Sequence, residues 1–74
     1  MNDVQKISVS YLFHKATADK KKAELSLELL MNNPAGIGDH STGDFHKNLE
    51  EAWETLVNAL DSLDRLQEKY GTGD

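Results

Sequence analysis

The sequence predicts an all-α protein, an antiparallel helical hairpin, on three observations. Leu49, Trp53, Leu56, Leu60, Leu63, Gln67 and Tyr70 recur at alternating spacings of four and three, the a/d pattern of a helix packed lengthwise on another helix. Residues 16–31 are rich in Ala, Lys, Glu and Leu, all strong helix formers. Between these stretches stands Asn32-Asn33-Pro34-Ala35-Gly36-Ile37-Gly38, where Pro34 disfavours a helical Asn33 and the glycines adopt backbone angles that other residues avoid.

Residues 4–13 read two ways. Ile7, Val9, Tyr11 and Phe13 alternate with Ser8, Ser10 and Leu12, as a strand would. Val9, Leu12, Ala16, Ala23, Leu27 and Leu30 nevertheless run on as a helical stripe. A lone strand has no sheet to join in a helical chain, although two could pair across a dimer. Helix is therefore expected from about Ser8 to about Asn32, with an extended 4–13 as the alternative. Ala16, Ala18 and Ala23 allow close helix approach, while Leu25, Leu29 and Met31 broaden the apolar face.

Residues 33–41 form the turn, with Ile37 plugging the end of the helix pair. Ser41 followed by Asp44 resembles a capping box, with Asp in place of Glu, and Asp44 suits the positive end of the helix dipole. The second helix is expected over about 42–70, with Gly71 as terminator and 71–74 as a frayed tail. Ala52, Ala59, Leu66 and Val57 widen its stripe. Residues 1–74 make one small domain.

Charge agrees with a hairpin. Residues 1–37 carry five lysines and four acids, whereas 38–74 carry three basic residues and nine acids, within a formal total of −5. Counted outward from the turn, Lys20, Lys21 and Lys22 fall level with about Trp53 to Thr55, beside Glu50, Glu51 and Glu54.

A 74-residue chain without cysteine buries only about 60 % of its unfolded surface and has no disulfide to compensate. Its stripes are wider than a two-stranded seam requires. Self-association is expected: a homodimer of hairpins forming a four-helix bundle, with Trp53, Leu56, Leu60 and Leu63 at its centre and Leu27 and Leu30 in the interface. Gln67 either fixes register as a polar core residue or lies near a frayed end.

Chemistry is thinly represented. Asp39, His40, Asp44 and His46 are chemically able to hold zinc or manganese, but their spacing matches no recognised site, and capping and turn duties account for them. Gly36-Ile37-Gly38 precedes a helix N-terminus, yet follows a helix rather than a strand, and Asp39 would oppose a phosphate. Ser41 and Thr42 near His40 and His46 serve as helix-start residues, with no readable triad. No enzyme activity, metal or cofactor is expected; a small metal- or ligand-binding protein built on the Asp/His cluster is the alternative function.

The acidic balance disfavours nucleic acid, for which Lys15, Lys20, Lys21 and Lys22 are the only candidates. No run approaches the ~20 apolar residues of a membrane span, and no signal peptide is visible at the N-terminus, so a cytoplasmic location is expected.

The stretch Leu29-Leu30-Met31-Asn32-Asn33-Pro34-Ala35-Gly36-Ile37-Gly38-Asp39-His40-Ser41 resembles small uncharacterised proteins of T-even-type tailed bacteriophages, including cyanophages, in which a similar Asn-Pro-x-Gly-Ile-Gly-Asp/Glu-His turn joins two helices. The resemblance implies a phage-encoded hairpin expressed in a bacterial cytoplasm and brings no catalytic residues with it. The expected function is a non-enzymatic protein–protein interaction module, an accessory or host-modulating protein with a protein partner besides itself.

Overall fold

The computed structural model describes residues 2–32 and 42–71. The expectations for 33–41, including the Ile37 plug, Asp39 and His40, and for the tail beyond Gly71 lie outside the described residues.

Two helices, α1 (Asp3–Asn32) and α2 (Thr42–Tyr70), lie antiparallel in a rod of 53 × 16 × 14 Å. Ala16 shares a groove with Ala59 near the open end, and Ala23 shares one with Ala52 nearer the turn. The extended alternative for 4–13 is overturned, because α1 is continuous from Asp3 and the described residues contain no strand.

The helix also starts five residues before Ser8, for a local reason. The side-chain Oδ1 of Asn2 accepts from the backbone N–H of Gln5 at 2.7 Å, and Oε1 of Gln5 accepts from the N–H of Asn2 at 3.2 Å. This reciprocal pair is a capping box with Asn and Gln in the two roles. At the other end of α1, Nδ2 of Asn32 donates to the carbonyl of Glu28 at 2.9 Å, a side-chain bond one turn back onto the helix backbone. Gly71 closes α2: its φ of +57° is left-handed, and its N–H donates to the carbonyl of Gln67 at 2.8 Å, the αL cap for which glycine is suited.

The seam between the helices is built from four rows of residues, each at seven-residue spacing. In α1 the rows are Val9, Ala16, Ala23, Leu30 and Phe13, Lys20, Leu27; in α2 they are Phe45, Ala52, Ala59, Leu66 and Leu49, Leu56, Leu63. All are buried or half-buried. Among the described residues six apolar side chains are buried, and four of them are the alanines at positions 16, 23, 52 and 59, with Val9 and Leu27. Small side chains at the crossing let two backbones approach closely, and the half-buried leucines then close over the edges.

The seam on α2 is therefore rotated from the leucine-rich stripe. Ala52, Ala59 and Leu66 face α1, whereas Trp53, Leu60 and Gln67 are exposed. Lys22 and Glu51 line one groove, but none of Lys20, Lys21 and Lys22 forms an ion pair with Glu50, Glu51 or Glu54. Among the described residues ion pairs join Lys15 to Asp19 at 2.9 Å and Arg65 to Asp61 at 3.0 Å, each one turn apart on one helix. Exposed charges gain only ~0–1 kcal/mol from pairing, too little to draw long side chains across the seam.

Candidate functional site

A rod with a core of alanines leaves much apolar surface outside. The accessible surface is 5793 Å² for a chain of 8.3 kDa, whereas a compact monomer of that mass exposes about 4600 Å². Among the described residues most of the exposed large apolar side chains fall in two places.

The first is the flank of α2 beside the seam. Trp53 is 56 % exposed, Leu60 45 % and Val57 44 %, and they lie one turn apart in series, so their side chains form a line along the helix. Leu56 and Leu63 are half-buried at its inner edge. At the turn end Trp53 borders a groove with Leu49, Leu27 and Met31, rimmed by Glu50 and Glu54. The expected interface residues thus divide: Trp53 and Leu60 stand in solvent, Leu56, Leu63 and Leu30 are half-buried, and Leu27, 8 % exposed, is held within the hairpin.

The second is the back of α1, on the side opposite the seam, which the reading of the sequence did not separate from the rest. Val4, Ile7, Tyr11, Leu25 and Leu29 are each between 59 and 72 % exposed. Val4, Tyr11, Ala18 and Leu25 fall at seven-residue spacing, with Ile7 beside the first two. The signal was present in that spacing but was interleaved with the seam residues. At about 3.6 residues per turn, positions two apart point in nearly opposite directions, so Ile7 and Tyr11 face out while Val9 and Phe13 face in.

The other flank of the hairpin is mixed, with Leu12, Leu66 and Tyr70 standing beside Lys15, Asp19, Thr55, Asn58, Ser62 and Arg65. Its hydroxyls are partly engaged with the helix, since Oγ1 of Thr55 donates to the carbonyl of Glu51 at 2.9 Å. The hydrogen bond and charge of Asp19 hold the Lys15 ammonium above its ordinary pKa of 10.5.

Of the Asp/His cluster, Asp39 and His40 lie outside the described residues. Asp44 sits in the first turn of α2, and His46 is exposed with its ring edge-on to Phe45 at 5.7 Å between centroids. Among the described residues no group of three potential metal ligands comes together. No described helix is long and apolar enough to cross a membrane.

Comparison with known proteins adds nothing to this geometry. No family model, curated protein or solved structure matches the chain. The candidate site is accordingly a surface: two apolar lines on different helices of one hairpin.

Proposed function

We propose that this protein is a non-enzymatic interaction module that works as a homodimer of hairpins, four helices in all, and that engages a further protein through what remains exposed. The observation that carries the reading is Trp53, more than half exposed in line with Val57 and Leu60. A large aromatic left in water beside leucines is the composition of an interface centre rather than of ordinary surface.

The turn sequence 29–41 supports a phage origin and, with it, an accessory or host-modulating role in the cytoplasm of an infected bacterium. Size-exclusion chromatography with light scattering tests the dimer. The wild-type chain is expected at twice its monomer mass in the micromolar range, and Trp53→Ala at monomer mass with unchanged helical circular dichroism. A wild-type chain that stays folded and monomeric at those concentrations defeats the reading.

A further inference from the structure

We propose that the surface covering Trp53 is the back of α1 of a second copy, so that the copies join through two different faces rather than one face meeting itself. The proposal rests on the self-association reading above but replaces its closed dimer by a head-to-tail contact, so that the wild-type mass rises past twice the monomer as concentration increases.

The partner helix for the Trp53 line has to be apolar along its length. A symmetric bundle would draw it partly from the α1 side of the same flank. Met31 is on that flank, sharing the Trp53 groove, but the residues above it at seven-residue steps are Glu24, Thr17 and Ser10. Such a bundle would bury the Glu24 carboxylate and the Ser10 hydroxyl, groups that are costly to desolvate without partners, whereas the Thr17 hydroxyl already donates to the carbonyl of Phe13 at 2.9 Å. The back of α1, by contrast, presents Val4, Ile7, Tyr11, Leu25 and Leu29 to solvent and has no partner within the hairpin.

Charge selects the same pairing. Within one turn of Trp53, Val57 or Leu60 stand Glu50, Glu54, Asp61 and Asp64, all exposed, and no lysine or arginine. Within one turn of Ala18, the small residue midway along the α1 stripe, stand Lys15, Lys21 and Lys22, of which Lys15 is paired with Asp19 at 2.9 Å, while Glu28 and Asp3 stand within one turn of Leu25 and Ile7 towards the two ends of the stripe. Two α2 flanks brought together would set acids on acids, and two α1 backs would set lysines on lysines. The mixed contact sets acids on lysines, and like-charge juxtaposition is what excludes wrong pairings at an interface. Ala18 between Tyr11 and Leu25 also leaves room for the one tryptophan, whose neighbours Glu50 and Glu54 then meet Lys21 and Lys22.

A contact between unlike faces leaves one α1 back and one α2 flank open at the ends of each dimer. It extends with concentration or closes into a ring.

The test is complementation between two damaged faces. Leu25→Glu places an acid against the acidic flank, and Trp53→Lys places a cation against the basic back. Both positions are exposed, so both variants keep the fold; circular dichroism verifies this, and Ile7→Glu serves as a second α1 variant. Sedimentation velocity should find each variant alone weakened in self-association by at least about 30-fold, the loss of one interface hot spot. An equimolar mixture should form a one-to-one complex that grows no further, because each variant supplies the face the other lacks. If Leu25→Glu and Ile7→Glu dimerise as wild type does, or if mixing restores nothing, this proposal fails and the symmetric homodimer stands. A monomeric wild type ends both.

Discussion

α1 and α2 are almost equal in length and share one seam, yet their surfaces are organised differently. In α2 the apolar residues gather on one broad face, from Phe45 through Ala52 and Trp53 to Leu66, with Glu50, Glu54, Asp61 and Asp64 along its outer border. In α1 they divide into two stripes on opposite sides, Val9, Ala16, Ala23 and Leu27 inward and Val4, Ile7, Tyr11 and Leu25 outward. One broad face suits a helix at the edge of an assembly. Two opposed faces suit a helix with neighbours on both sides, and the hairpin supplies only one of them.

The largest effect that could break this contrast belongs to Leu27→Ala. Leu27 is buried in the seam, and truncating a buried leucine costs about 2–5 kcal/mol. Leu25→Ala, two residues away on the exposed face, should cost less than about 0.5 kcal/mol in the monomeric chain. Urea unfolding at submicromolar concentration measures both, and equal losses would remove the distinction between the two sides of α1.

A somewhat smaller effect sharpens the same point with volume added rather than removed. Ala23→Leu, at a position 2 % exposed, should destabilise by about 1–3 kcal/mol as the helices are forced apart. Ala18→Leu adds the same atoms to the open side and should be near neutral in thermal unfolding. Smallest is Asn2→Ala, which removes one half of the capping box and should cost about 1 kcal/mol. Amide hydrogen exchange should show fraying confined to the first turns of α1. Unchanged protection there would mean that the helix start does not depend on the cap.

The contrast also explains what the sequence made legible. α2 was readable because a one-sided helix writes a single period of 3.6 along the chain, and its start at Thr42 and the glycine at 71 carry ordinary end signals. The first third of α1 was not, because two opposed helical stripes interleave as Ile7, Val9, Tyr11 and Phe13, the alternation expected of a strand. The decisive local feature, Asn2 with Gln5 three residues on, is a weak signal in the sequence because the usual residues of that motif are Ser or Thr with Glu. Trp53 and Leu60 stand out in the sequence as surface in need of cover, whereas the outward stripe of α1 does not, because Leu25 and Leu29 read as a widening of the inner face and Ile7 and Tyr11 as strand alternation.

Sequence alone determined two long helices, the Asn-Pro stop between them and the unequal charge of the two halves. Only the tertiary structure decided which apolar row became the seam, and it chose Ala16, Ala23, Ala52 and Ala59 over the row containing Trp53 and Leu60. Hydrophobic patterns weight residues by the area they can bury, so leucine and tryptophan dominate any reading of the chain. Contact between two helices is limited instead by how near their axes can come. At that distance the smallest side chains occupy the line of contact, and the largest are left at its edge.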